Sequence, residues 1–199
     1  MEPEKRRDRT KQQNRQTILA AARLVFAEMG FGAATVRDII RATPLASGTF
    51  YNYFKSKEEV YQALRDEMAV AIRPRLHEER GKADSMEAFI RGSFRTFFDF
   101  VAANRAEFVP LNSAGQATRL RMDSPEIVAG FEELRGDIQT AMAKGLFPEV
   151  DPDFLTAAMI GVAFELSERL CARGFDDGQA AADFATQLFL GGIQALPRP

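Results

Sequence analysis

The chain is predicted to be all-α and built in two parts, a three-helix N-terminal unit and a larger helical domain, with about nine helices in total. Three observations predict this. Apolar residues recur at helical spacing along most of the chain, with no strand-like alternation. Glycine, proline and capping residues cut that pattern into separate helices, two of them very short and joined at Pro44-Leu45. Charge and phenylalanine are also unevenly shared. Residues 1–61 carry 11 Lys and Arg against 7 Asp and Glu, a balance of +4, whereas residues 62–199 carry 15 against 21, or −6. Only 4 of the 17 phenylalanines precede residue 62. This describes a small part that seeks polyanions and a larger one with aromatic material to bury. The division is drawn between residues 1–56 and 57–199, with residues 1–11 as a flexible basic arm.

The composition is that of a soluble globular protein, with 46% hydrophobic and 27% charged residues. A single cysteine, Cys171, excludes an internal disulfide and is expected to pack quietly. The charged N-terminus lacks the apolar core of a signal peptide, and the apolar run Phe154–Phe164 is too short to cross a bilayer. A cytoplasmic protein without membrane contact is expected.

Taken in order, the first 15 residues hold six basic side chains and no apolar one beyond Met1. They read either as an arm for phosphates or a minor groove, or as a solvated tail. A helix over about Gln12–Met29 follows, with Ile18, Ala22, Val25, Phe26 and Met29 as its apolar face. Gly30 stops it and Phe31 packs back. Thr35, with Asp38 three residues on, opens a short helix in a capping-box pattern, and Ile39 and Ile40 supply its buried side. Pro44 ends that helix. A second short helix, about Ala46–Tyr53, sets Phe50 and Phe54 on one side and a polar, uncharged set on the other. Two short helices joined this way form a helix-turn-helix, whose second helix suits a DNA major groove.

Ser56 and Glu59 cap a longer helix with Val60, Leu64 and Met68 as its seam, ending near Pro74 or a turn beyond. His77 falls in a charged run and reads as a solvated surface histidine. Further helices are expected over Ser85–Ala103, Arg105 to about Thr118, Ser124–Lys144 closed by Gly145, Asp151 to about Arg173, and Asp177–Ala195.

The residues Thr35-Val36-Arg37-Asp38-Ile39, then Gly48-Thr49-Phe50-Tyr51-Asn52-Tyr53-Phe54, then Lys55-Ser56-Lys57-Glu58-Glu59 resemble the TetR family of bacterial transcriptional regulators. The resemblance covers about the first 60 residues. It implies that Ser47, Gly48, Thr49, Tyr51, Asn52 and Tyr53 face the major groove of a double-stranded DNA operator, and that Thr35, Arg37 and Lys57 hold backbone phosphates. The residue chemistry agrees: Gly48 permits close approach, Thr49 suits a thymine methyl or a phosphate, and the tyrosines suit phosphate oxygens. The chain departs from the family at Thr43-Pro44-Leu45-Ala46. Ala46 has no capping group, so Ser47 becomes the candidate N-cap, which would spend its hydroxyl on the backbone.

One short reading helix buries little surface, so a homodimer on a palindrome is expected. Small residues beside large apolar ones mark the last two helices as the seam, through Ala158, Gly161, Glu165, Phe184, Leu188, Gly191 and Gly192, with Ala157 and Ala195 beside them. Packing within one chain is the competing use of these residues. Phe94, Phe97, Phe98, Phe108, Phe131, Met159 and Phe164 either line an apolar pocket for a small-molecule effector or fill a core. The reading favoured is a repressor released by a small, largely apolar ligand, with no enzymatic activity, cofactor or metal. The alternatives are a non-switching dimeric DNA-binding protein and a helical enzyme or lipid carrier.

Overall fold

A computed structural model describes residues 3–104, 124–172 and 178–193. Among the described residues the fold is all-helical: α1 (Pro3–Ala33), α2 (Val36–Arg41), α3 (Ser47–Tyr51), α4 (Lys57–Lys82), α5 (Met86–Ala103), α6 (Pro125–Ala143), α7 (Pro152–Ala172) and α8 (Gly178–Ile193). The helix expected over 105–118, Phe108, Ala195 and the Cys171 side chain lie outside the described residues. The chain divides into two compact units, one running up to Glu67 and one beginning at Met68. The division therefore falls inside α4 rather than at residue 56, because the first turns of α4 carry the apolar seam of the first unit.

In that first unit α1 begins at Pro3, so residues 3–11 are helical and do not form the flexible arm expected of them. Proline at a first helical position costs no hydrogen bond, and the Glu, Lys, Arg and Gln that follow are strong helix formers. Side chains from Arg7 to Gln13 remain exposed. Gly30 takes a left-handed φ of 74° and breaks the helix before its last residues. Phe31 turns back, its ring 5.3 Å from Phe26 and 4.9 Å from Tyr61. Ile18, Leu19, Phe26, Ile39, Phe50, Phe54, Val60 and Leu64 are buried with them. Each such side chain contributes about 1.5–3 kcal/mol on leaving water. Met29, expected in this core, is 45% exposed, one residue before the break at Gly30. Glu67 on α4 gathers α1: Arg15, Gln16 and Arg23 donate to its carboxylate at 3.2, 2.8 and 2.8 Å.

In the second unit α4 continues through Pro74 to Lys82. Proline there removes one hydrogen bond, but Pro74 and Val70 lie on the exposed side, where an unmatched carbonyl costs little. The core is built from Phe89, Ile90, Phe94 and Phe98 of α5, Leu134 and Ile138 of α6, Leu155 and Met159 of α7, and Ala182, Ala185 and Phe189 of α8. Helix α6 ends in a Schellman turn. Gly145, at φ 74°, donates to Met142 O and Leu146 donates to Ala141 O. Ser124 occupies the N-cap of α6, yet its hydroxyl makes no capping bond; the backbone carbonyl alone receives Val128 N–H. Asp151 does cap α7, accepting from Asp153 N and Phe154 N at 2.8 and 3.1 Å. Gly178 lets α8 start against α5, since a Cβ there would lie 2.8 Å from Phe98 C.

Ion pairs tie the later turns of α4 to α6. Arg73 reaches Glu133 at 3.3 Å, and Arg80, its side chain only 3% exposed, meets Asp137 at 2.7 Å. His77 lies on the same carboxylate at 3.1 Å, so it is exposed, as its charged surroundings imply, but not merely solvated. Replacing Asp137 by Ala leaves the Arg80 charge buried and unmatched. The expected cost in equilibrium denaturation is about 3–5 kcal/mol, with a smaller loss for Asp137→Asn, which keeps an acceptor.

Candidate nucleic-acid interface

Two short helices and the turn between them build the surface. Thr35 accepts Asp38 N–H at 3.3 Å, and the Asp38 carboxylate accepts Thr35 N–H at 3.0 Å and its hydroxyl at 2.6 Å. Those bonds hold the Asp38 carboxyl below its ordinary value of 3.8, the Thr35 hydroxyl contributing most. The turn is closed by Thr43, whose hydroxyl donates to Ile40 O at 2.9 Å and accepts Leu45 N–H at 3.3 Å. Ala46 takes the N-cap of α3 with no side-chain bond. Thr49 N–H is received by the Ala46 backbone carbonyl at 2.8 Å. Ser47 is consequently the first helical residue and not the cap, and its hydroxyl is left facing out.

Phe50 and Phe54 are buried beneath α3, their centroids 6.1 Å apart, as the sequence spacing implies. Tyr51 stands 60% exposed, its ring edge-on to Phe50 at 5.4 Å. Ser47, Gly48, Tyr51 and Asn52 are exposed together on the outer face, and a Cβ on Gly48 would meet nothing within 4 Å. Thr49 is half-buried, and Tyr53 accepts a hydrogen bond from Asn14 of α1 at 3.3 Å. Arg37 is exposed in the first turn of α2.

Two residues expected to hold phosphates are engaged elsewhere. Thr35 has its hydroxyl committed to Asp38 in both directions. Lys57 turns inward: its ammonium donates to the carbonyls of Phe31, Gly32 and Ala34 at 2.8, 3.2 and 2.8 Å and lies 4.6 Å from the Phe31 ring centroid. An ammonium has three protons, so Lys57 caps the end of α1 with all of its donors. Lys55, passed over as a contact, is exposed directly after the reading helix. Its place in a charged run beside a capping serine gives no pattern that would single it out.

The residues expected to form a pocket are divided. Phe94, Phe98 and Met159 are buried in the core, Phe94 stacked on Phe98 at 5.9 Å. Phe97 meets Phe98 and Phe164 at 5.6 and 5.9 Å. Phe131 and Phe164 instead line an open cavity of about 410 Å³ between α6 and α7. All seven expected seam residues, Ala158, Gly161 and Glu165 on α7 and Phe184, Leu188, Gly191 and Gly192 on α8, are exposed.

A helix-turn-helix with a bare, polar, close-approaching face, joined to a separate helical unit, defines a DNA-binding regulator of two-part design. Residues 18–64 match the profile of bacterial regulatory proteins of the tetR family. The transcriptional repressor KstR2 of Mycolicibacterium smegmatis is 28% identical over 151 residues, 71% of each chain. The fold is also that of the transcriptional regulator FadR of Bacillus subtilis, solved in complex with stearoyl-CoA, at a TM-score of 0.74 and 23% identity over 89% of this chain and 98% of that one. FadR of Bacillus halodurans superposes at 0.73 with 24% identity, covering 91% and 96%. Residues 18–64 thus carry the DNA-binding module of the tetR family, and the chain is similar to transcriptional regulators of that type. Among the described residues no helix is long and apolar enough to cross a membrane.

Folding lowers the Asp38 pKa, so this carboxylate's contribution is complete above about pH 4 and is lost as the pH falls through the lowered value. Thr35→Ala is expected to lower the thermal midpoint of the first unit by several degrees at neutral pH. It should also bring the Asp38 carboxyl back toward its ordinary value, read by NMR titration.

Proposed function

We propose that the protein is a cytoplasmic repressor that binds a palindromic operator as a homodimer and is released by a small, largely apolar effector held in its second unit. The observation that carries the DNA part is the outer face of α3, where Ser47, Gly48, Tyr51 and Asn52 stand clear over a buried Phe50 and Phe54. Arg37 and Lys55 flank that face as exposed cations for phosphates. Thr49 and Tyr53 reach it from partly buried positions, while Lys57 and Thr35 act through the fold. Tyr51→Ala is expected to weaken binding to an operator selected from random DNA by about tenfold or more, with the dimer intact. Unchanged affinity in fluorescence anisotropy removes Tyr51 from the interface.

Support for the dimer comes from α7 and α8. Phe154, Phe184 and Leu188 are 77%, 59% and 53% exposed beside Ala158, Gly161, Gly191 and Gly192. Large apolar groups in water next to backbone without side chains are what a second copy of the same pair would cover. Leu188→Glu is expected to yield a folded monomer in analytical ultracentrifugation with operator affinity reduced at least tenfold; a persistent dimer places the seam elsewhere.

The effector reading draws support from the named relatives: KstR2 is a repressor, and the FadR of Bacillus subtilis was solved with stearoyl-CoA. To release an operator decisively an effector must favour the non-binding conformation by about 5.5 kcal/mol. Relatives that are regulators also favour this reading over an enzyme or a lipid carrier.

A further inference from the structure

Residues 7–13 of α1 are all exposed. Arg7, Arg9 and Lys11 make no ion pair among the described residues, whereas Arg15 and Arg23 farther along the same helix are spent on Glu67. The stretch is helical because it extends a helix that packing has already nucleated, so each added residue gains a backbone bond without a new nucleus. Its direction is tied to the reading head. Asn14 donates to the Tyr53 hydroxyl at 3.3 Å, just past the end of α3.

Helical geometry sorts the charges on this extension. Arg7 and Lys11 precede Asn14 by seven and three residues, so at about 3.6 residues per turn both fall within about 60° of it, on the side of α1 that meets Tyr53. Asp8 and Arg9 fall about 120° or more away. From Asn14 back to Pro3 the helix runs about 16 Å, at about 1.5 Å per residue. A helix about 10–12 Å across does not enter a minor groove about 6 Å wide, and in the DNA reading α3 takes the major groove. The sugar-phosphate backbone is what remains within its reach. We infer that the start of α1 is a rigid basic strut that binds backbone phosphates beside the half-site read by α3, through Arg7 and Lys11. Such contacts add affinity and fix orientation without adding sequence preference. The inference rests on the DNA-binding reading and adds a second contact region to it.

The test is fluorescence anisotropy of the full chain on its selected operator and on a scrambled duplex, over a series of KCl concentrations. Arg7→Gln with Lys11→Gln removes two phosphate contacts per chain, four per dimer. At about 0.9 per phosphate, the slope of log K against log salt is expected to become shallower by about 3–4. Affinity at low salt should fall about tenfold or more on both duplexes, with their ratio unchanged within about twofold. Arg9→Gln, an equal loss of charge on the other side, should change the slope by less than half as much as Arg7→Gln alone. Gln12→Pro keeps every charge and leaves a helix starting at residue 12, but detaches residues 3–11 from it. It should weaken binding about as much as the double variant. All of these positions are exposed, and an unchanged melting temperature of the double variant verifies that the unit is intact.

An unchanged salt slope in the double variant overturns the inference, as does an Arg9→Gln effect equal to that of Arg7→Gln, which makes the charge diffuse and unplaced. Undiminished binding by Gln12→Pro also overturns it, because a flexible arm then serves as well as a helix. Loss confined to the operator overturns it too, since the two cations then read bases. The DNA reading is scored by Tyr51→Ala. If that variant weakens binding while the double variant keeps its slope, the strut alone falls. If the wild-type chain binds all duplexes alike and the double variant still loses slope, the strut stands and the operator reading falls.

Discussion

A helix of five residues makes too few internal hydrogen bonds to repay its own nucleation, so α3 exists only because the two phenylalanines beneath it are buried. Phe50 and Phe54 fix its rotation, and rotation decides which residues point outward. With those rings pinned against the first unit's core, Ser47, Gly48, Tyr51 and Asn52 have one orientation left to them. The absence of a side-chain cap at Ala46 makes this dependence stronger, because the start of the helix is held by backbone and packing alone.

Charges in this protein divide by what surrounds them. Lys57, Glu67 and Arg80 each serve the interior: an ammonium closing the carbonyls of α1, a carboxylate collecting three donors, and a guanidinium buried against Asp137. Pairs such as Lys82–Glu78 and Arg169–Glu165 lie in water at helical spacing, where solvent screens them, and add little to stability. The basic excess of the first 61 residues is thus smaller at the exposed surface around α3 than a count implies. Arg15, Arg23 and Lys57 are spent inside the unit, leaving Arg37 and Lys55 among the cations beside α3.

The second unit combines a filled core with an unfinished surface. Phe94, Phe98, Phe189 and Met159 pack against one another, so the deepest aromatic residues serve stability. The apolar residues that remain available lie farther out, at the α6–α7 groove and along α7 and α8. Both places hold glycine or alanine where a larger side chain would close the surface. Phe154, Phe184 and Leu188 accordingly stay in water while Phe94, Phe98 and Phe189 do not.

Periodicity, capping chemistry and turn residues are local, and they were readable from the order of residues. The Thr35–Asp38 box, the stop at Gly30, the burial of Phe50 and Phe54 and the Asp151 cap all follow from residues within a few positions of one another. The full extent of α4 beyond Pro74, to Lys82, and the helical start at Pro3 were not readable, since each depends on whether neighbouring groups tolerate or support the helix. The use of a side chain was the least readable of all. Lys57 looks like a phosphate ligand until the end of α1, more than twenty residues away, is brought beneath it. Phe94 and Phe131 look alike on paper, and only packing sends one to the core and the other to a groove. The amino-acid sequence by itself determined which helices form and which face of α3 is apolar, because those depend on neighbours along the chain. Tertiary structure decided which charges and which rings stay exposed, because those depend on what the fold has already consumed.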